Sequence, residues 1–229
     1  MHLLIPAAGT GRRMGSKRNK LLLTLLEKPL LAWTLLAGEN SSTIKWIGII
    51  GQPRDFADFQ AILDQLNLTK PVKLIIGGAT RQESVYNGLQ SLSESAAQVL
   101  IHDGARCLAT PELFDRCSEA LKTCQGFIAA VPVKDTIKVA DDREIVINTP
   151  DRSNLWAAQT PQGFDVELLK QCHARGKKFG WQVTDDAALF EKCQLPVKIV
   201  RGEETNLKVT TPVDMAIAEF ILRQRLTAD

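Results

Sequence analysis

The sequence opens with LLIPAAGTGRRMGSKRNK, residues 3–20, a short apolar run followed by a turn rich in glycine and basic residues. The run is typical of a buried strand, and small residues after it let backbone N–H groups approach phosphate oxygens. The turn and its exit carry five cations, Arg12, Arg13, Lys17, Arg18 and Lys20. A solvated basic turn would have the same composition. In a chain of net charge +2, however, the cluster is a local positive field, and we interpret it as a cradle for a triphosphate.

Two familiar phosphate-binding loops are excluded by the residues at one or two positions each. The dinucleotide pattern G-x-G-x-x-G needs glycine where this chain has Met14. The P-loop pattern needs lysine after its second glycine, but Gly15 is followed by Ser16, and Thr10 stands where the first glycine belongs. The loop is therefore of another type.

Apolar runs alternate with amphipathic stretches through the first 131 residues. We predict strands at 3–5, 46–50, 72–76, 99–101 and 127–131, and helices at about 29–38, 55–66, 81–92 and 111–123. Most of the strands are apolar at consecutive positions, which is expected when helices cover both faces of a sheet. The fold class is therefore α/β, a Rossmann-like and mostly parallel sheet with helices on both faces.

The pattern changes after Val131, where polar and apolar residues alternate on both sides of Asp141 and Asp142. This predicts a protruding β-hairpin, which is marginal alone and should pack against a second subunit. Downstream we predict a helix over 185–192 capped by Thr184, strands at 195–200 and 206–210, and a C-terminal helix from Pro212. We expect a single domain over 1–229, with the hairpin arm inserted at about 133–158.

Bulk composition excludes several partners. A net charge of +2 is too small to indicate nucleic acid as the main partner. No apolar run approaches the roughly 20 residues that span a bilayer, and no signal peptide precedes the first strand. Five cysteines without a C-x-x-C spacing predict reduced thiols and no zinc site. We therefore expect a cytoplasmic protein with no nucleic-acid or membrane partner.

Seven short motifs occur in the order of a known family. The signature Ala7-Ala8-Gly9-x-Gly11-x-Arg13-Met14, with Lys20 seven residues after the arginine, resembles that of the sugar-phosphate nucleotidyltransferases. The further matches are GGATRQESV (77–85), HDGAR (102–106), VPVKDTIK (131–138), DRSNLWAAQTPQ (151–162), VTDDA (183–187) and NLKVT (206–210). The resemblance covers essentially the whole chain. It is greatest to the cytidylyltransferases that serve non-mevalonate isoprenoid synthesis.

The resemblance implies transfer of CMP from CTP to 2-C-methyl-D-erythritol 4-phosphate, with release of pyrophosphate. Ribitol 5-phosphate stays open as an alternative acceptor, because its cytidylyltransferases share most of these motifs. More distant alternatives are a purine-sugar transferase and a catalytically silent nucleotide-binding module. The family also implies a Mg²⁺ cofactor and a homodimer in which the hairpin arm serves the neighbouring site.

Site residues follow from the same resemblance. Catalytic residues would be Arg13, Lys20 and Lys208. Nucleotide-binding residues would be Pro6, Ala7, Ala8, Gly9, Gly11, Gly78, Ala79, Arg81, Ser84, Asp103 and Gly104. Acceptor-binding residues would be Asp103, Arg106, Thr136, Arg152, Thr160, Thr184 and Lys208, with Asp103 also a candidate metal ligand. One departure concerns Asn19, since the family often has proline immediately before the lysine.

Overall fold

A mixed sheet runs through the centre of the protein. The structure, a computed structural model, describes residues 1–9 and 19–228, with no side-chain detail at 228, and seven strands of these ranges form the sheet. The strands are β1 His2–Pro6, β2 Thr24–Leu25, β3 Lys28–Pro29, β4 Trp46–Gly51, β5 Val72–Ile76, β6 Gln98–Ile101, β7 Gly126–Pro132, β8 Val139–Ala140, β9 Val146–Asn148, β10 Trp156–Asp165 and β11 Lys198–Arg201. The helices are α1 Leu30–Asn40, α2 Phe56–Leu66, α3 Arg81–Gln90, α4 Pro111–Ala120, α5 Val166–Lys178, α6 Ala187–Lys192 and α7 Pro212–Ala228.

The order of strands in the sheet is β11-β7-β10-β6-β1-β4-β5. β1 pairs in parallel with both β4 and β6, whereas β10 runs antiparallel to its neighbours β6 and β7. The chain leaves β1 toward β4 on one side and later returns to place β6 on the other. In open α/β sheets, the crevice at such a switch point, beyond the carboxyl ends of the strands, is where ligands bind.

Helices cover both faces of the sheet, as predicted. On β1, Leu3 and Ile5 belong to a core cluster that includes Phe59 and Phe114 of α2 and α4. Leu4, between them, belongs to a second cluster that includes Val85 of α3 and residues of α5 and α6. Successive side chains of a strand point to opposite faces, so each face buries its own apolar layer. The α/β prediction is confirmed.

Two local predictions need correction, and one strand was not predicted. The segment 206–210 is irregular rather than a strand, because its backbone groups bond to other elements, as Val209 N does to Ala105 O. Thr184 does not cap α6, since the carboxylate of Asp185 accepts the Ala188 N–H instead. β10 was not predicted as a strand, and it contains Pro161, a residue type that is unusual in a central strand. The pairing of β10 with β7 is irregular between residues 158 and 162, which accommodates that proline.

The predicted hairpin is present but has a shorter ladder. β8 and β9 pair as a separate two-stranded sheet, with Asp141 accepting the Ile145 and Arg143 backbone N–H groups at the turn. Its apolar side chains face outward, and Ile145, Val146 and Ile147 are 58%, 56% and 64% exposed. In the described part of the chain, the hairpin therefore lacks a hydrophobic layer against which to pack.

The C-terminal helix packs against β2 and the start of α1. Ala218 and Leu222 of α7 are buried in a third cluster with Leu25 and Leu30. Among the residues that the structure describes, no helix has the length and apolar character needed to cross a membrane.

Candidate active site

A cavity of about 500 Å³ lies at the carboxyl ends of β1, β5 and β6. It is the crevice expected at the switch point beside β1. Twelve of the predicted site residues line it: Pro6, Ala7, Ala8, Gly9, Lys20, Gly78, Ala79, Arg81, Ser84, Asp103, Gly104 and Lys208. The structure thus brings together segments that the sequence placed up to two hundred residues apart.

Two predicted catalytic lysines meet at the cavity. Lys20 begins a short 3₁₀ turn over Lys20–Leu22, and its Nζ donates to the carbonyl of Val209 at 2.9 Å. Val209 is fully buried and its N–H bonds to Ala105 O, so the segment carrying Lys208 is held against the loop after β6. The neighbouring Lys208 is directed at the same cavity. Two cations with separate anchors therefore lie on one wall.

Asp103, the second residue after β6, forms the acidic centre of the cavity. Its Oδ2 lies 2.6 Å from Lys208 Nζ and its Oδ1 lies 3.8 Å from Arg81 Nε. Burial alone would raise the pKa of Asp103, but the charges of Lys208 and Arg81 outweigh it and lower the pKa to about 2. The side chain is therefore a carboxylate at neutral pH.

A second carboxylate, that of Asp186, also binds Arg81. Nη1 of Arg81 donates to Asp186 Oδ2 at 2.8 Å, and Oδ1 of Asp186 lies 3.3 Å from His173 Nε2. Asp186 is 1% exposed. Burial would raise the pKa of Asp186, but the charge of Arg81 and the contact with His173 keep the pKa below its ordinary value. Arg81 therefore bridges a buried carboxylate and the carboxylate of the cavity.

The loop after β5 is fixed by a capping box. Thr80 accepts the Glu83 N–H, while the Glu83 carboxylate accepts the N–H groups of Ala79 and Thr80. The hydroxyl of Ser84 accepts the Gly78 N–H at 3.0 Å and donates to Thr80 O. A Cβ on Gly78 would lie 2.3 Å from Glu83 Cβ, so this position needs glycine. Ser84 and Glu83 thus shape the backbone at Gly78 and Ala79.

His102 supports the cavity floor without lining it. The ring is fully buried, its Nδ1 lies 3.1 Å from Thr160 Oγ1, and Thr160 in turn accepts the Asp103 N–H at 2.9 Å. Burial lowers the pKa of His102 to about 4. A neutral buried histidine in this position packs and hydrogen-bonds beneath the cavity. Thr160 orients the backbone of Asp103.

Arg106 binds the segment that carries Lys208 from outside the cavity. Its Nη1 donates to Asn206 O at 2.7 Å and its Nη2 to Ala158 O at 3.2 Å. Its Nε is buried with no hydrogen-bond partner among the residues described. Arg106 thus ties β10 to the 206–210 segment, and it does not line the cavity.

The remaining predicted residues are not brought to the cavity within one chain. Thr136 and Arg152 are exposed on the hairpin segment, where Arg152 Nη1 donates to Lys134 O. Thr184 is exposed in the bend before α6. Gly11 and Arg13, with the rest of 10–18, lie outside the described residues.

Sequence reasoning missed several residues of this region. Gln52 and Thr210 line the cavity, and Asp186 anchors Arg81. Gln52 comes directly after β4, so a search of the position after each parallel strand would have found it. Asp186 offered no comparable signal, because its contact with Arg81 joins residues 105 positions apart.

The donor set suits a magnesium ion only in part. Mg²⁺ keeps several waters and is usually bound through one or two carboxylates together with substrate phosphates. Asp103 supplies one such carboxylate at the cavity. Within residues 1–9 and 19–228, no group of three or more His, Cys, Asp or Glu side chains could hold a metal by itself. The residues therefore fit an ion that arrives with a phosphate ligand.

Known proteins with related sequences share one description. A family model described as "IspD: 2-C-methyl-D-erythritol 4-phosphate cytidylyltransferase" matches residues 1–224. A relative of that name from Crocosphaera subtropica is 73% identical, over 99% of this chain and 100% of its own length. Another from Synechocystis sp. is 67% identical over 98% of both chains.

Solved structures with similar folds belong to proteins with equivalent names. The 4-diphosphocytidyl-2C-methyl-D-erythritol synthase of Anaerococcus prevotii matches with a TM-score of 0.87 and 32% identity, covering 97% of each chain. The 2-C-methyl-D-erythritol 4-phosphate cytidylyltransferase of Thermus thermophilus matches with a TM-score of 0.78 and 31% identity, covering 96% of this chain and 98% of that one. These matches confirm the resemblance carried by the ordered motifs. The chain belongs to the 2-C-methyl-D-erythritol 4-phosphate cytidylyltransferase family.

Proposed function

We propose that this chain transfers CMP from CTP to 2-C-methyl-D-erythritol 4-phosphate, giving 4-diphosphocytidyl-2-C-methyl-D-erythritol and pyrophosphate for isoprenoid synthesis. The observation that carries the proposal is that Lys20, Lys208 and Asp103 line one cavity at the carboxyl ends of the strands. Family membership favours this acceptor over ribitol 5-phosphate, the alternative that the motifs left open.

The reaction needs no nucleophile from the protein. An oxygen of the acceptor phosphate forms a bond to the α-phosphorus of CTP, while the bond from that phosphorus to the bridging oxygen breaks and pyrophosphate leaves with the electron pair. The obstacles are charge crowding and alignment, which positioned cations relieve. Lys20 and Lys208 would supply this charge from the wall they share, and Arg13 would join them by resemblance to the family.

Small residues would hold the nucleotide. Pro6, Ala7, Ala8 and Gly9, with Gly11, would pass close to the triphosphate, because small side chains let backbone N–H groups reach phosphate oxygens. On the opposite wall, Gly78 and Ala79 would face the base, with Ser84 holding that loop and Arg81 beside it. Asp103 and Gly104 would lie between them, near the ribose.

The acceptor would bind across a subunit boundary. Asp103, Arg106, Thr160, Thr184 and Lys208 would come from one subunit. Thr136 and Arg152 would come from the hairpin arm of its partner in a homodimer. The support is that the arm exposes apolar side chains such as Ile145 and Ile147, and that Thr136 and Arg152 do not line the cavity of their own chain.

We further propose one domain over 1–229, a cytoplasmic location and a Mg²⁺ cofactor. Five free cysteines fit a reducing compartment. Asp103 would contribute a ligand to the magnesium ion. When bound, the ion would neutralise charge on the triphosphate.

The direct test compares substrates. The purified protein is incubated with Mg²⁺ and CTP, and with either methylerythritol phosphate or ribitol 5-phosphate, while released pyrophosphate is measured. We expect release with methylerythritol phosphate and at most a trace with ribitol 5-phosphate. A preference for ribitol 5-phosphate would refute the acceptor assignment, and equal use of GTP or ATP would refute the base assignment. Binding of CTP without any turnover would indicate the silent module instead.

A further inference from the structure

Asn19 occupies a buried position at the edge of the cavity and uses its amide on three partners. The side chain is 4% exposed. Its Nδ2 donates to Ala7 O at 2.6 Å and to Asp55 Oδ2 at 3.0 Å, and its Oδ1 accepts the Leu21 N–H at 3.1 Å. Both donor hydrogens and the carbonyl are therefore committed to contacts inside the protein.

These three contacts join three separate elements. Ala7 follows β1 and lines the cavity, Leu21 lies in the 3₁₀ turn that begins with Lys20, and Asp55 immediately precedes α2. Ala7 and Asn19 also stand near the two ends of the glycine-rich segment 10–18. A single amide thus sets the distance between the end of the first strand and the turn that carries Lys20.

We propose that Asn19 is a positioning residue for the reaction, holding Lys20 and the backbone of Ala7 in a fixed relation within the nucleotide cavity. The inference rests on the proposed catalytic role of Lys20 and goes beyond it. A misplacement of about 1 Å in a reacting group can lower turnover by roughly a hundredfold, so such an anchor affects the reaction as well as the fold.

The backbone explains how this chain departs from the family pattern. Asn19 has φ −58° and ψ 126°, and proline fixes φ near −65°. Proline would therefore fit the same backbone and stiffen it directly, but it would lose the contacts with Ala7, Asp55 and Leu21. In this chain, hydrogen bonds of the Asn19 side chain hold the backbone conformation that a proline ring would otherwise fix.

A matched control separates positioning from stability. Ser41 is 2% exposed and its hydroxyl accepts the Ile44 N–H at 3.2 Å. It lies beside Thr43, whose carbonyl accepts from the N-terminus of the chain, so it sits at the amino ends of β1 and β4, away from the cavity at the carboxyl ends. Ser41→Ala therefore removes a buried polar contact without approaching Lys20.

The experiment measures kcat, KM for CTP and the thermal midpoint of Asn19→Ala, Asn19→Pro, Ser41→Ala and Lys20→Met. We expect Asn19→Ala to lower kcat by about tenfold or more, and the kcat of Asn19→Pro to lie between that of Asn19→Ala and that of the unaltered protein. Ser41→Ala should keep kcat within about twofold of the unaltered protein. The KM for methylerythritol phosphate, measured in the same assays, should change little, because Asn19 is not among the proposed acceptor-binding residues.

Several results would overturn the inference. Asn19→Ala with unchanged kcat, or with a loss that Ser41→Ala reproduces at a similar thermal midpoint, would show that Asn19 is only structural. If the alanine variant does not fold, Asn19→Pro decides. A proline variant that turns over no faster than Lys20→Met would show that fixing the backbone at position 19 does not position Lys20, and this would contradict the inference. If Lys20→Met itself keeps full turnover, the proposed role of Lys20 fails instead.

Discussion

Lys208 Nζ lies 2.6 Å from Asp103 Oδ2, although 105 positions of sequence separate the two residues. The contact joins the irregular segment before α7 to the loop after β6, at the cavity. Lys208 is 40% exposed on its side chain, whereas Asp103 is 14% exposed. The lysine is therefore the member of the pair that can turn toward a phosphate.

Replacing Lys208 with methionine should lower kcat by about two orders of magnitude, because it removes one preorganised charge from the transition state. Lys198→Met is the matched control, since Lys198 is an exposed lysine on β11 that does not line the cavity. Steady-state pyrophosphate release measures both variants. Equal turnover in the two variants would remove Lys208 from the mechanism.

Arg81 and Asp186 should be strongly coupled in stability. Arg81→Met leaves the carboxylate of Asp186 buried without its nearest cation, which typically costs about 3–5 kcal/mol. In an Asp186→Asn background the same change should cost much less, since the buried charge is gone. Urea unfolding of the two single variants and the double variant gives the coupling energy. Additive losses would show that the 2.8 Å contact contributes nothing.

The stability of the protein should fall with acidification because of His102. Its pKa is lowered by burial to about 4 in the folded protein, whereas an unfolded chain has a value near the ordinary 6.5. The unfolded state therefore binds more protons below that pH, so stability present above about pH 6.5 is lost as the pH falls toward 4. The loss is on the order of 3 kcal/mol.

His102→Gln provides the comparison for this pH dependence. The free energy of unfolding, measured by urea titration between pH 7 and about pH 4, should have a shallower slope in the glutamine variant by up to one proton. Identical slopes in the two proteins would mean that His102 is not held neutral by burial.

A mixed dimer should regain activity if the hairpin arm completes its partner's site. Arg152→Ala and Lys20→Ala are each expected to be nearly inactive. When their subunits exchange, one of the two sites in a mixed dimer has both groups intact, so turnover should return in part. No recovery, despite exchange demonstrated by differently tagged subunits, would contradict a site shared between subunits.

Much of the fold was predictable because it depends on local patterns. Consecutive apolar residues in β1, β4 and β5 indicated a sheet buried on both faces, and the helix predicted from residue 111 begins there as α4. β10 was missed because Gln159, Thr160 and Gln162 are polar, yet they are buried through hydrogen bonds to residues far away in sequence. Long-range polar contacts of this kind leave no periodic signal.

The candidate site was predictable to the extent that motifs follow strands. Residues after β1, β5 and β6 meet at the cavity because parallel strands end at one edge of a sheet. The anchors behind them were not predictable, since Asp186 and Asn19 act through contacts that only the folded chain creates. Lys208 was found only through its motif, because its segment is irregular rather than the expected strand.

The most direct test of the account is a crystal structure of the protein with CTP and Mg²⁺. We expect the triphosphate in the cavity between Ala7 and Lys208, with the ammonium of Lys20 within hydrogen-bond distance of a phosphate oxygen. A triphosphate bound elsewhere, with Lys20 and Lys208 facing solvent, would contradict the central claim that these residues form the site of CMP transfer.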